Sequence, residues 1–196
     1  MSLYYEMEER EAARKRLVRE VVIWVAEILA VIGLSYVIVA FGLVRISMIG
    51  DSMAPTLHDN EAIIVNKMIY RFTSPQRNDV VVFKQNGNEH SYYNVKRVIG
   101  LPGETVQIKE GKIFIDGKLL KEEYAFDEIS NGGLANEIVT LDSKEYFVLG
   151  DNRNASEDSR YANIGMVIKQ DIVGKAWFRV KPFDLISKIN VQSEEE

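Results

Sequence analysis

Residues 105–120 read TVQIKEGKIFIDGKLL. Two apolar runs, TVQIKE and KIFI, meet at Glu110-Gly111, and Asp116-Gly117 separates KIFI from KLL. An Asp-Gly pair between apolar runs is a strong signal for a two-residue β-hairpin. The same grammar continues on both sides. Upstream lie EAIIVNKMIY at 61–70, NDVVVFK at 78–84 and NVKRVIGL at 94–101, and downstream EIVTL at 137–141, EYFVLG at 145–150 and IVGKAWFRV at 172–180. Turn residues punctuate these runs, and Asn86-Gly87 is a further turn candidate. Residues 45–196 are therefore expected to form a mainly β domain, with no helix longer than a few turns. The segment 126–136, containing Asn131-Gly132-Gly133, reads as a mobile loop, and the acidic tail at 194–196 as a disordered end.

The N-terminal part follows different rules. Residues 1–20 are charged and helix-favouring, and read as a solvated helical extension. Residues 21–44, VVIWVAEILAVIGLSYVIVAFGLV, are apolar on every face. At ~1.5 Å rise per residue, a helix of this length crosses a hydrocarbon core of ~30 Å with some tilt. The run is too long for the apolar region of a cleaved leader. Glu27 lies inside it, either close to an interface or protonated. Arg14, Lys15, Arg16 and Arg19 precede the run, and Arg45 alone follows it directly. The bias of basic residues places the N-terminus in the cytoplasm and the β domain outside.

Composition narrows the chemistry. The chain has no Cys and two His, His58 and His90, so disulfides, thiolate metal sites and cysteine nucleophiles are excluded. A net charge of −5 argues against a nucleic-acid partner. Five basic and six acidic residues fall within 1–44, leaving nineteen and twenty-three for the rest, so the β domain is itself mildly acidic. The mean hydropathy of −0.11 looks like that of an ordinary soluble protein, but it averages two unlike segments.

Three polar segments interrupt the apolar pattern: IGDSMAPTL at 49–57, YNVKRVIGLPG at 93–103 and GDNRNASEDSR at 150–160. In a strand, alternation puts Asn94, Lys96 and Val98 on one face and Val95, Arg97 and Ile99 on the other. A lysine held between β-branched residues loses hydration, which disfavours its cation, and a neutral amine can take a proton from a serine hydroxyl. From the strand alone, a surface lysine with its amine in solvent is the plainer reading. Ser52 precedes Pro55 in a turn that could expose its hydroxyl and aim its backbone N–H at a developing oxyanion. The third segment, on its own, reads equally as a loop of structural ion pairs.

Together the segments resemble the type I signal peptidases of bacteria, membrane-bound Ser–Lys endopeptidases, and in particular their Gram-positive-type members. The resemblance is carried by GDSMAPTL at 50–57, NDVVVFK at 78–84, KRVIGLPGE at 96–104 and GDNRNASEDSR at 150–160, in family order and behind one N-terminal span. It implies a β-barrel or β-sheet catalytic domain with one N-terminal transmembrane helix, bound to the bacterial plasma membrane. It implies Ser52 as nucleophile and Lys96 as general base. Ser156 matches the serine that helps orient the lysine amine, Asp158 with Arg160 a supporting ion pair, and Arg97 with Asp151 a second. Two departures stand out. The position two before Ser52 holds Gly50 rather than a hydroxyl residue, and the glycine after Arg160 arrives only at Gly165.

The implied substrate is a secreted preprotein lying extended along strand edges at 46–50 and 93–95, with small residues at the first and third positions before the cut. Ile46, Met48, Met53, Leu57, Asn94 and Val95 are the expected substrate-binding residues. The implied chemistry requires no metal and no cofactor. A Ser–His–Asp hydrolase is the rival within catalysis, but His58 is too near Ser52 in sequence for easy triad geometry, and His90 lies in a hydrophilic stretch. A self-cleaving Ser–Lys repressor-type peptidase lacks the apolar span. The alternative from another class is a signal-peptidase-like assembly factor or chaperone for surface or pilus proteins, which would be marked by loss of the dyad.

Overall fold

The computed structural model describes residues 2–85, 92–122 and 126–186. Asn86-Gly87, His90 and the acidic tail lie outside the described residues. The chain divides into two compact units between Gly42 and Leu43.

The first unit is one helix, α1, Ser2–Gly42. The extension and the apolar run expected as separate segments are continuous in it. Within Arg14–Gly42, an 18-residue window has a mean hydropathy of 2.4 and holds no buried residue. A helical stretch that is apolar on every face suits a lipid surrounding. The helix ends two residues earlier than expected. Leu43 and Val44 are instead drawn into a strand, where they pair with Asn66 and Val65.

The second unit is mainly β. Its larger sheet runs in the order β1 (Leu43–Ser47), β2 (Ala62–Asn66), β11 (Ile172–Arg179), β3 (Val80–Lys84), β4 (Tyr93–Gly100), β9 (Glu145–Leu149) and β10 (Val167–Ile168). The short strand β12, Asp184–Leu185, adds to β11. Among the described residues the order is an open path. A one-turn helix, α2 (Ile69–Phe72), follows β2.

A smaller sheet places β7 (Lys118–Leu119), β6 (Lys112–Ile115), β5 (Thr105–Lys109) and β8 (Val139–Thr140) side by side. Its two tight turns follow local chemistry. Glu110 and Gly111 take φ of 51° and 73°, and Asp116 and Gly117 take 50° and 73°. Paired positive φ values match the right-handed twist of the flanking strands, and Gly adopts them without steric cost.

Burial follows strand alternation on β2 and β5, which show one face to the core. β4 departs from the alternation. Val95 through Gly100 are all buried, because β4 lies inside the sheet with packing on both faces. The segment 126–136 is also packed rather than loose. Ile129 and Ala135 join the apolar cluster under the smaller sheet. Leu134 N–H donates to the Arg160 carbonyl at 2.8 Å, and Ser130 Oγ donates to Asn154 Oδ1 at 2.8 Å.

Candidate active site

Lys96 sits mid-way along β4, opposite Val81 of β3, and is 5% exposed. Ser52 comes from a turn that leaves β1 and is pinned from below. Met53 and Leu57 insert into the core with no exposed surface. Ala54 N–H closes the turn on the Asp51 carbonyl at 3.0 Å, and Leu57 N–H closes on that of Met53 at 2.9 Å. The Ala54-Pro55 peptide within it is cis. With both neighbours fixed, half-buried Ser52 faces β4, and Lys96 Nζ donates to its Oγ at 2.7 Å. Burial lowers the Lys96 pKa to about 8, against the opposing pull of Asp158, then Asp151 and Glu157. In the neutral amine the bond reverses, and the serine hydroxyl donates to the Nζ lone pair.

The loop 150–160 closes over this pair and is held by buried charges. Arg97 grips Asp151 with two bonds, Nε to Oδ1 at 2.8 Å and Nη2 to Oδ2 at 2.6 Å. Thr56 Oγ1 donates to the same carboxylate at 2.5 Å, which ties the serine turn to the loop. Arg160 grips Asp158 in the same two-pronged way, at 2.7 and 2.9 Å, and Asp158 also accepts the Gly150 N–H at 3.0 Å. Fully desolvated pairs of this kind persist because the remaining donors and acceptors are also satisfied. Arg97 Nη1 reaches the Asn78 carbonyl at 3.0 Å, and Arg160 Nη1 that of Asn131 at 3.1 Å.

Further contacts complete the setting. Asn152 N–H donates to the Ser52 carbonyl, and Asn152 Nδ2 donates to the Asp51 carbonyl, both at 3.2 Å. Gly50, with φ of 76°, donates its N–H to Asp59 Oδ1 at 2.7 Å, while Asp59 N–H donates to Asp51 Oδ1 at 2.9 Å. Buried Arg153 pairs with Glu122 through Nη1 at 3.0 Å and lies 4.1 Å from the Phe126 ring centroid. A desolvated serine–lysine pair on such a frame can carry out nucleophilic acyl transfer.

The family model described as "Signal peptidase, peptidase S26" matches residues 21–181. The chain belongs to the signal peptidase S26 family. Its relatives include a protein named signal peptidase I from Bacillus licheniformis, 35% identical over 92% of this chain and 98% of that one. Signal peptidase I S of Bacillus subtilis (strain 168) is 34% identical over 94% of this chain and 100% of its own. Signal peptidase I of Leptolyngbya laminosa is 40% identical over 71% of this chain and 69% of its own.

Within this S26 peptidase, the expected site residues fall into distinct settings. Ser52 and Lys96 share a hydrogen bond, and the pairs Arg97–Asp151 and Asp158–Arg160 form. The bond expected from Ser156 to the lysine amine does not form. Ser156 Oγ is buried with no hydrogen-bond partner among the described residues. It lies instead against Gly150, where a Cβ would overlap it. Met48, Met53, Leu57 and Val95 are buried in one cluster, with Ile46 packed on it. Met53 and Leu57 therefore have no surface to offer a ligand directly, because both are needed as anchors of the serine turn. Ile46 and Asn94 remain half-exposed. His58 is exposed, with Nδ1 4.0 Å from Asp51 Oδ1. Thr56, Gly150, Asn152, Arg153 and Glu122 were not singled out by the sequence. Of these, only Thr56, Gly150, Asn152 and Arg153 lie in the motif segments, and nothing in their spacing marks them.

Proposed function

We propose that this chain is a membrane-anchored serine endopeptidase that removes N-terminal signal peptides from secreted preproteins, with Ser52 as nucleophile and Lys96 as general base. The observation that carries the reading is the 2.7 Å contact between Lys96 Nζ and Ser52 Oγ, inside a pocket that lowers the lysine pKa to about 8. Family membership supports the same conclusion, and disfavours a non-enzymatic assembly factor.

The proposed reaction needs only these groups. Neutral Lys96 takes the Ser52 proton as Oγ attacks the carbonyl carbon before the cut. The oxyanion of the tetrahedral intermediate is met by the Ser52 backbone N–H. The intermediate collapses, the lysine ammonium gives its proton to the departing amine, and an acyl-enzyme remains. Lys96 then deprotonates a water, which attacks the ester and releases Ser52.

The substrate backbone is proposed to add to exposed strand edges. β1 is the last strand on its side of the sheet. On β4, residues 93–96 pair with β3, while pairing with β9 begins at Arg97. Main-chain hydrogen bonds at these edges give affinity without demanding a sequence. Ile46, Asn94 and Val95 border this track, with Met48, Met53 and Leu57 beneath it limiting depth, which supports a preference for small side chains before the cut. The helix α1 serves as the anchor. Arg14, Lys15, Arg16 and Arg19 support a cytoplasmic N-terminus and an extracytoplasmic β unit.

Cleavage of one Ala-x-Ala preprotein by the wild type and by Ser52→Ala and Lys96→Met tests the reading. Both variants should fold and neither should cut; full activity in either one overturns it.

A further inference from the structure

We propose that Asn152 is a positioning residue that orients and polarises the oxyanion donor, an inference that rests on the reading of Ser52 as nucleophile. The Ser52 N–H belongs to the peptide group joining Asp51 to Ser52. The oxygen of that group is the Asp51 carbonyl, which accepts Ala54 N–H at 3.0 Å within the turn and, from the loop 150–160, Asn152 Nδ2 at 3.2 Å. In a planar trans peptide, C=O and N–H point in opposite directions, so a donor fixed on the oxygen fixes the direction of the N–H. A hydrogen bond accepted at the oxygen also draws amide electron density toward it, and strengthens the N–H as a donor through cooperative polarisation.

The next peptide is held as well. The Ser52 carbonyl accepts the backbone N–H of the same Asn152 at 3.2 Å. One residue thus restrains the peptide on each side of the nucleophile, one through its side chain and one through its backbone. Asn152 is itself anchored. It follows Asp151, which Arg97 clasps, and its own carbonyl accepts Ala155 N–H at 3.2 Å.

The neighbouring geometry raises the demand on this peptide. The residue two before Ser52 is Gly50, which has no hydroxyl, and its N–H is already committed to Asp59 Oδ1 at 2.7 Å. Stabilisation of the oxyanion then falls chiefly on the Ser52 N–H. An interaction that matters when charge develops on the substrate oxygen lowers kcat when lost, and leaves ground-state binding alone.

The test uses the full chain in detergent with two variants. Asn152→Ala removes the side-chain donor, and Asn152→Asp keeps the shape but turns a carboxylate oxygen toward the Asp51 carbonyl. Both retain the backbone bond to Ser52. Four quantities are measured: kcat and KM on an Ala-x-Ala preprotein, affinity for a peptide aldehyde that forms a tetrahedral adduct with Ser52, affinity for the same peptide with a reduced scissile bond, and thermal midpoint. The expected result is a kcat lower by about tenfold in Asn152→Ala and by more in Asn152→Asp, with KM unchanged. Aldehyde affinity falls in step with kcat and affinity for the reduced peptide holds; in Asn152→Ala, which adds no charge, the acid limb of the pH profile stays where it is in the wild type. Wild-type kcat in both variants, or equal loss of affinity for both ligands, overturns the proposal. A Ser52→Ala control that still cleaves overturns the nucleophile assignment and this proposal with it, whereas an active wild type beside unaffected Asn152 variants overturns this proposal alone.

Discussion

Gly150 and Ser156 approach so closely that no side chain fits between them. A Cβ built on Gly150 overlaps the Ser156 hydroxyl and also the carbonyl oxygen of Ser52. The contact presses the loop 150–160 onto the serine turn. Gly150→Ala forces these groups apart, with an overpacking cost of about 1–3 kcal/mol. It should lower the thermal midpoint and reduce turnover of a preprotein more than it reduces binding. Paired melting and steady-state measurements check this, and wild-type values in both would remove the loop contact from the account.

The Lys96 pKa of about 8 sets a pH profile. The base must be neutral, so kcat/KM should rise about tenfold per unit below pH 8 and level off above it. Asp158 is the strongest of the charges that raise the Lys96 pKa, and Arg160, which lowers it, keeps its charge in Asp158→Asn. That variant should therefore shift the acid limb downward. A limb that moves upward, or sits near the value of an exposed lysine, contradicts the burial argument.

Burying the amine carries a stability cost with a definite sign. The folded-state pKa is depressed from 10.5 to about 8, so the unfolded chain binds the proton more tightly. Stability therefore rises with pH between about 8 and 10.5, and below pH 8 the full penalty of about 3 kcal/mol applies. Lys96→Met removes that penalty. At pH 7 the variant should unfold at higher denaturant than the wild type, and the gap should narrow as pH approaches 10. Equal midpoints at pH 7 would sink this prediction.

Arg160→Ala leaves Asp158 as a buried carboxylate without its two-pronged partner. Breaking such a pair from one side costs about 3–5 kcal/mol. Denaturant unfolding should show that loss, together with reduced turnover, because Asp158 also holds the Gly150 N–H. Unchanged stability and turnover would show that the ion pair does not support the loop.

Thr56→Val is a narrower probe. It keeps the shape but removes the hydroxyl that donates to Asp151 Oδ2 at 2.5 Å. A buried carboxylate that loses one donor is destabilised by about 1–3 kcal/mol. The Arg97 clasp remains, so stability should fall without collapse of the site. Calorimetry on the two proteins reads the difference directly.

The hairpins were legible because their cause is local. Glu110-Gly111 and Asp116-Gly117 carry the positive φ that the turns require. The helix ends at Gly42 and not at Val44, because Leu43 and Val44 suit lipid and sheet equally. Their pairing with Asn66 and Val65 decides between the two, and that pairing is remote in sequence. The same limit applies to the site. Ser52 and Lys96 are separated by 44 positions, and each has a plainer reading alone. Thr56 and Asp151 are 95 apart, and no periodicity couples them. The burial of both faces of β4 was likewise invisible, since alternation describes a strand with one wet face, and β4 has none beyond Asn94.

The depressed lysine pKa has a consequence for the life of the chain before it is finished. A hydrated Lys96 is a cation at neutral pH and has no lone pair to offer. A useful fraction of neutral amine forms only once β3, β9, the serine turn and the loop 150–160 have closed around it and lowered its pKa to about 8. A nascent or half-assembled chain is therefore chemically silent, although it already carries every residue of the proposed mechanism. Reactivity arrives with folding, so the fold itself acts as the safety catch of a protease.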